Sequence, residues 1–255
     1  MRTWKKIVAA WEPCEGLPLG DRGFRYGMSV FETIAVHEAK PLMLEEHLER
    51  LERAVGDCGG EFAALPTFDF SQLSTGLLRF YLTAGEGGQE APFAGDAYAL
   101  FDEAEVGWNL SALRVISSAA PYLPRPGGWK TGNYWQNLDA LAAAKRAGCD
   151  EALVFNPAGM LVGAAMANVF LQIDGRWVTP ALETGARDGA VRAWVLRAMA
   201  VSEEILDAEA LQRSSAAFLT NSRIGIRPIA ELDGRPLEVA CAEIQRRYFD
   251  EIFSR

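Results

Sequence analysis

The sequence predicts an α+β fold in two lobes, a small N-terminal α/β lobe and a larger C-terminal lobe. Both halves of the 255-residue chain mix β-prone runs with helical patterns. A proline- and glycine-rich connection at residues 119–128 separates the two halves. The composition, 49% hydrophobic and 23% charged, leaves ample apolar surface for a core. We therefore expect an N-terminal domain over residues 1–118 and a C-terminal domain over residues 129–255, joined by that connection.

β-Branched and aromatic residues mark the strands of the N-terminal half. Leucines at helical spacing predict a helix over about residues 44–55, which Gly56 ends. The glycine-rich turn at residues 85–88 predicts that the β-prone segments on either side of it form paired strands. The predicted strands cover residues 30–36, 76–83, 97–102 and 113–117.

The C-terminal half begins with a helical pattern that Gly148 terminates. Turns at residues 156–159 and 174–175 separate short β-prone runs. The predicted strands cover residues 151–155, 168–173 and 177–179. The predicted helices cover residues 134–147, 189–202 and 237–252.

The charge and the cysteine pattern exclude several classes of protein. A net charge of -9 and a pI near 4.9 argue against binding to nucleic acid, which needs a basic face. No apolar run approaches the ~20 residues of a membrane span, and the N-terminus shows no signal-peptide pattern. Four scattered cysteines predict neither a disulfide scaffold nor a metal site. We expect a cytoplasmic protein with reduced thiols and with neither a nucleic-acid nor a membrane partner.

Lys130 is the principal candidate for a catalytic residue. It lies in GGWKTGNY, residues 127–134, where the flexible connection gives way to the predicted helix. An amine at such a boundary can form and break a Schiff base with a carbonyl cofactor. On composition alone a solvated surface lysine is the more common case.

A second candidate site is the sequence ARDGAVR at residues 186–192, a turn that feeds a helix. The amides of Ala190 and Val191 can point at an anion there, and the helix dipole favours negative charge. Gly189 permits close approach of the backbone. The alternative is an ordinary helix start capped by Asp188.

Five segments, taken together and in order, resemble the class-IV aminotransferase and aminodeoxychorismate lyase family of fold-type IV pyridoxal-phosphate enzymes. They are DRGFRYGMSVFET at residues 21–33, EHLERL at 46–51, KTGNY at 130–134, GARDGAVR at 185–192, and FLTNS at 218–222 followed by Pro228. The resemblance covers nearly the whole chain. It implies a fold like that of D-amino-acid and branched-chain aminotransferases, the cofactor pyridoxal 5′-phosphate, and a homodimer with each site at a subunit boundary.

The resemblance also implies roles for individual residues. Lys130 is expected to carry the cofactor and to act as general acid and base. Arg50, at the edge of the predicted helix's buried face, is expected to offer a bidentate guanidinium to the phosphate. His47 lies one turn earlier and either supports that site or merely packs. The expected cofactor contacts are Arg50, Asn168, Gly189, Ala190, Val191 and Ser222.

The chain departs from the family pattern at Gly163. The family places a glutamate five positions before the residue that aligns with Asn168, where it pairs with the ring nitrogen of the cofactor. No Asp or Glu occurs between Glu151 and Asp174. Glycine has no side chain for this contact, so the ring should withdraw electrons less strongly. Two smaller departures are Val191 in the phosphate turn and Ala84 before the glycine turn.

Three functions remain open at this stage. The first is a lyase resembling 4-amino-4-deoxychorismate lyase, which releases pyruvate and 4-aminobenzoate; its aromatic product supplies driving force. The second is an aminotransferase for branched-chain or D-amino acids, which should suffer more from Gly163. The third is a non-catalytic relative. Phe31, Thr33 and Asn221 are weaker candidates for substrate contacts, since Phe31 and Thr33 share one face of their strand and could equally pack on the core.

Overall fold

The computed structural model describes residues 1–63, 65–107, 111–125 and 128–253. Its internal contacts divide the chain into two compact units, each with its own sheet. The first unit comprises Met1–Val106 and Trp129–Asn133. The second, larger unit comprises Gly107–Gly128 and Tyr134–Arg255. The mixed fold in two lobes that the sequence predicts is therefore confirmed.

The first unit is built on a six-stranded antiparallel sheet with the order β2-β1-β6-β5-β3-β4. Its strands are β1 Arg2–Ile7, β2 Ala10–Pro13, β3 Ser29–His37, β4 Lys40–Pro41, β5 Gly76–Thr83 and β6 Asp96–Glu103. Its helices are α1 Arg22–Tyr26 and α2 Leu44–Asp57.

Strand β3 shows how the pattern of the sequence becomes packing in this unit. Val30, Ile34 and Val36 are buried in the core that one face of the sheet forms with α2. Burial of each such side chain contributes about 1.5–3 kcal/mol, which holds the register of the strand. Phe31 and Thr33 alternate with these residues, so they point to the opposite face.

The second unit is built on a nine-stranded mixed sheet. Eight strands follow the order β12-β11-β10-β13-β14-β7-β8-β9, and β15 pairs with β14. The strands are β7 Leu113–Ser117, β8 Glu151–Phe155, β9 Leu161–Ala164, β10 Asn168–Ile173, β11 Arg176–Pro180, β12 Val201–Glu204, β13 Ser214–Asn221, β14 Gly225–Leu232 and β15 Arg235–Pro236. The helices are α3 Trp135–Arg146, α4 Ala190–Ala198, α5 Ala208–Arg213 and α6 Ala242–Ile252.

The compact units do not follow the predicted domain limits. Strand β7, placed in the N-terminal domain from the sequence, pairs in parallel with β8 and β14 and so lies in the second sheet. Trp129–Asn133, placed in the C-terminal domain, belongs to the first unit. Both differences arise from long-range strand pairing, which composition does not reveal. Residues 126 and 127 of the predicted connection lie outside the described residues.

Two predicted helices are shorter than expected. The helix predicted over residues 189–202 ends at Ala198, because Val201–Glu204 pairs in parallel with β11. The helix predicted over residues 237–252 begins at Ala242, because the amides of Leu237 and Glu238 donate to the carbonyls of Ala230 and Ser215. In the part of the chain that the structure describes, no helix has the length and hydropathy needed to cross a bilayer.

Candidate active site

The Lys130 segment lies along the first half of β3. The Phe31 amide donates to the Lys130 carbonyl at 2.7 Å, and the Gly132 amide donates to the Ser29 carbonyl at 3.0 Å. A Cβ atom at Gly132 would collide with Ser29 Oγ, so a larger residue would force the Ser29 side chain to rotate. Backbone pairing to a buried strand thus gives Lys130 the rigid support that a catalytic amine needs.

Side chains hold the same segment in place. Trp129 packs against the core of the first unit, and its indole Nε1 donates to Asp57 Oδ2 at 2.9 Å. Lys130 Nζ lies 4.5 Å from the centroid of the Phe31 ring. That ring stacks on Tyr81 at 4.7 Å. The lysine amine therefore rests on an aromatic surface, within the range of a cation–π contact.

Phe31 and Thr33 lie on the sheet face that points away from the α2 core. Their cross-strand neighbours are Tyr81 and Arg79. Arg79 Nη1 lies 2.7 Å from Asp102 Oδ2. The face that carries Phe31 therefore combines stacked aromatic rings with a paired charge. Phe31 is nevertheless buried, so its packing role and its role as a pocket wall both stay predictions.

Arg50 lies on α2, which also carries a buried histidine that contacts β3. Its Nη1 donates to the Glu46 carbonyl at 2.7 Å, and its side chain is half-buried. His47, 2% exposed, places Nδ1 at 2.7 Å from Glu32 Oε2. This contact joins α2 to β3, so His47 holds the helix against the sheet. The role of Glu32 was not predicted from the sequence, because its neighbouring residues do not indicate that its partner, His47, lies 15 positions further along the chain.

In the second unit, the start of α4 is shaped for an anion. Gly189 is the N-cap and makes no side-chain capping bond, so the alternative of a helix capped by Asp188 is not observed. Asn168 Nδ2 donates to the Arg187 carbonyl at 2.7 Å and fixes the preceding turn. A Cβ at Gly189 would collide with Asn168 Oδ1. Asn168 therefore positions the turn, and Gly189 allows the close approach.

Thr220 supplies a further polar group that the sequence analysis missed. It stands directly opposite Asn168 in the pairing of β10 with β13, so the two side chains share one face. Thr220 is 1% exposed, and within the described residues its Oγ1 has no hydrogen-bond partner. Such a group costs about 1–3 kcal/mol unless a ligand satisfies it. A phosphate fits this donor set together with the Ala190 and Val191 amides at the first turn of α4.

Ser222 and Asn221 follow the same strand. Ser222 comes directly after β13 and is half-buried. Asn221 Nδ2 donates to the Met166 carbonyl at 2.9 Å, and Asn221 Oδ1 accepts from the amides of Arg223 and Ile224. Both ends of the Asn221 amide therefore hold the backbone of the turn.

Gly163 lies on β9, close to the turn that leads into β10. A Cβ built there would lie 3.1 Å from the Ala167 carbonyl oxygen, and φ at Gly163 is 159°, so a side chain at this position is strained. Glu151, 7% exposed, accepts from the amides of Ala152 at 2.9 Å and Met166 at 3.2 Å. Its carboxyl supports the β9–β10 turn, and burial raises its pKa from 4.5 to about 7.

Comparison with known sequences agrees with this arrangement. The amino-transferase class IV family model matches residues 29–232. An aminodeoxychorismate lyase of Bacillus subtilis is 27% identical, over 91% of this chain and 88% of its own length. A branched-chain-amino-acid aminotransferase of Escherichia coli K12 is 24% identical, over 96% of this chain and 89% of its own.

Solved structures show the same fold. A putative 4-amino-4-deoxychorismate lyase from Legionella pneumophila matches with a TM-score of 0.81 and 26% identity, covering 92% of this chain and 94% of that protein. A branched-chain aminotransferase from the thermophilic archaeon Thermoproteus uzoniensis, crystallised with norvaline, matches with a TM-score of 0.84 and 20% identity, covering 98% and 94%. At that lower identity the likeness concerns the fold alone.

Proposed function

This chain belongs to the amino-transferase class IV family and is a pyridoxal-phosphate-dependent enzyme, and we propose that it is a lyase of the 4-amino-4-deoxychorismate lyase type. The observation that carries the proposal is the placement of Lys130, whose backbone pairs with β3 and whose amine lies over Phe31. The backbone of the lysine is held by these hydrogen bonds, while the residue as a whole is half-buried.

We assign the binding of the cofactor to the residues that the resemblance to the family implies. Lys130 would hold it covalently, and Arg50 would offer its guanidinium to the phosphate. The Ala190 and Val191 amides and Ser222 are the other proposed phosphate contacts, while Asn168 and Gly189 shape the turn before α4. When bound, pyridoxal phosphate would supply a carbonyl carbon that exchanges Lys130 for the substrate amine, which frees the Lys130 amine, and a ring that withdraws electrons from the adjacent carbon.

Lys130 is also the proposed general acid and base. Its neutral amine removes the proton from the ring carbon that bears the substrate's amino group. The neighbouring carbon–oxygen bond then breaks, the carbocycle becomes aromatic, and the three-carbon group leaves. Lys130 returns the proton to this departing group, which is released as pyruvate beside 4-aminobenzoate. The aromatic surface of Phe31 and Tyr81 fits a planar ring of this kind.

Gly163 supports the lyase over an aminotransferase. Without a carboxylate at this position the cofactor ring is a weaker electron acceptor, and aromatisation of the product offsets that weakness. An aminotransferase must move a proton to the cofactor carbon without such help. It remains the second candidate because of the similarity to branched-chain aminotransferases.

A cytoplasmic homodimer is part of the same proposal. The first unit exposes several large apolar side chains near α1, and a cluster of such residues is costly to leave in water. They include Leu19, Phe24 and Tyr26. Light scattering of the purified protein should give twice the monomer mass of 27.9 kDa, whereas a monomer would contradict the assembly.

The proposed function is tested by spectroscopy and by product analysis. Pyridoxal phosphate added to the protein should give a visible absorption band that borohydride converts into an adduct, which peptide mapping should locate on Lys130. Lys130→Ala should lose the adduct and the turnover while remaining folded, and Lys145→Ala, an exposed lysine on α3, should keep both. Release of 4-aminobenzoate and pyruvate without an added keto acid would establish the lyase. Turnover that requires a keto acid would replace it with the aminotransferase.

A further inference from the structure

A row of side chains crosses the first sheet on the face that points away from the α2 core. Phe31 of β3 stands opposite Tyr81 of β5, and Tyr81 stands opposite Tyr98 of β6. Tyr98 in turn stands opposite Lys5 of β1. Because residues directly opposite each other share one face of a sheet, these side chains form a continuous row. The Lys130 amine lies over the Phe31 end of the row, and the proposed function makes no use of the other end.

Tyr98 brings a buried hydroxyl to that other end. The residue is 5% exposed, and among the residues that the structure describes its hydroxyl has no hydrogen-bond partner. Burial raises the pKa of Tyr98, so the hydroxyl keeps its proton at neutral pH and can donate it. Buried polar groups are usually satisfied, and an orphaned donor beside a candidate site therefore indicates a group that a ligand supplies.

Lys5 places a positive charge beside this hydroxyl. Its Nζ lies 5.3 Å from the centroid of the Tyr98 ring, and its side chain is 30% exposed. The ammonium partly offsets the effect of burial on the pKa of Tyr98, although the two groups do not have the geometry of a hydrogen bond. A phenol that donates and an ammonium that carries a charge together suit a carboxylate.

Two carboxylates of the first unit also act on this pair. Asp21 is buried, and its oxygens accept from the Gly23 amide and the Thr83 hydroxyl, so it is committed to the start of α1. Asp96 Oδ2 lies 3.8 Å from Lys5 Nζ, which is longer than a hydrogen bond, and its side chain is 41% exposed. An exposed pair at this distance contributes little, so Asp96 is a weak competitor for the ammonium.

We propose that Lys5 and Tyr98 bind the ring carboxylate of the substrate, whose ring lies along the row. The inference rests on the proposed function and deepens it. Neighbouring strands lie about 4.8 Å apart, so Tyr98 stands about 10 Å across the sheet from Phe31. The product 4-aminobenzoate carries its carboxylate across the ring from its amine, so an amine held near Lys130 allows the carboxylate to extend toward Lys5. A branched-chain amino acid has no second carboxylate and would leave both donors unused.

Calorimetric titration of the protein saturated with pyridoxal phosphate tests this subsite. The probes are benzoate and its uncharged analogue benzamide. Lys5→Gln should weaken benzoate binding at least about tenfold, because it removes a charge-assisted hydrogen bond, and should affect benzamide far less. Asp96→Asn should tighten benzoate binding, because it removes the competing carboxylate. The control Lys40→Gln removes an exposed lysine of β4 and should leave both probes unaffected.

Tyr98→Phe separates a binding role from a structural one. The variant loses only the hydroxyl and should weaken benzoate binding by a smaller factor than Lys5→Gln does. Without benzoate, its denaturant midpoint should equal that of wild type or exceed it, because the lost hydroxyl has no partner within the described residues. A hydroxyl that only supports the sheet would give the reverse pattern, with a lower midpoint and unchanged binding.

Three results would overturn the inference. The first is a benzoate dissociation constant that is the same in wild type and Lys5→Gln, or no benzoate binding by either. The second is that structural pattern in Tyr98→Phe. The third is a loss of affinity for pyridoxal phosphate in Lys5→Gln with benzoate binding intact, which would assign Lys5 to the cofactor.

Benzoate binding is measured without turnover, so the proposed function can fail separately. A wild-type protein that binds benzoate through Lys5 but releases no 4-aminobenzoate would support the carboxylate subsite and refute the lyase.

Discussion

Glu151 makes the stability of this protein depend on pH in a direction opposite to that of most carboxylates. The side chain is 7% exposed on β8 and supports the β9–β10 turn through the amides of Ala152 and Met166. These hydrogen bonds favour the charged form, but burial opposes it more strongly and raises the pKa. The folded state therefore binds the Glu151 proton more tightly than the unfolded state does.

The size of the effect follows from the two pKa values. A rise from 4.5 to about 7 corresponds to about 3 kcal/mol of unfolding free energy. This stability is present in full below pH 4.5, where both states are protonated. It is lost as the pH rises to about 7, because the unfolded state gives up the proton first. Above about pH 7 the contribution of Glu151 to the unfolding free energy no longer changes with pH.

Denaturant unfolding of wild type and Glu151→Gln across pH 4.5 to about 8 measures this contribution. Glutamine keeps the volume and cannot ionise, so the variant should gain about 3 kcal/mol relative to wild type over that range. Glu183→Gln, an exposed carboxylate of the same unit, should follow the wild-type profile. A difference between wild type and Glu151→Gln that stays constant with pH would refute the reasoning, as would one that grows toward acid.

Four further substitutions give separate tests. Gly189→Ala should cost about 1–3 kcal/mol of unfolding free energy and weaken cofactor binding, because its methyl group meets Asn168 Oδ1; unchanged melting would contradict the close approach. Arg50→Ala should raise the dissociation constant of pyridoxal phosphate about tenfold or more with little effect on folding, and an unchanged constant would remove Arg50 from the phosphate site. Glu32→Gln should lower stability by about 1–3 kcal/mol, since it weakens a buried partner of His47; equal unfolding midpoints would argue against that contact. Gly163→Glu should increase keto-acid-dependent turnover relative to the lyase reaction, and a fall in both activities would show that the position tolerates no side chain.

Local patterns predicted much of the fold because they report local energetics. Alternating β-branched residues placed β3, the strand at Leu113–Ser117 was located correctly, and leucines at helical spacing placed α2. Errors arose where pairing partners lie far apart in sequence. Val201–Glu204 looks like a continuation of α4 and is a strand only because β11 lies beside it. The strands β13 and β14 were also missed, although they pair with each other across the short turn at residues 222–224.

The candidate site was likewise predictable from the sequence only in part. Motif order in the sequence identified Lys130, Arg50 and the turn before α4, because covalent capture and phosphate binding need particular residue types at particular positions. The sequence also revealed that Gly163 lacks the carboxylate that the family places there, because the residue type at a position can be read without a structure. Only the tertiary structure placed Tyr98 of β6 opposite Lys5 of β1, because these two strands are far apart in sequence. Hydrogen-bond geometry and burial depend on which segments the fold brings together, and these contacts leave no periodic trace in the chain.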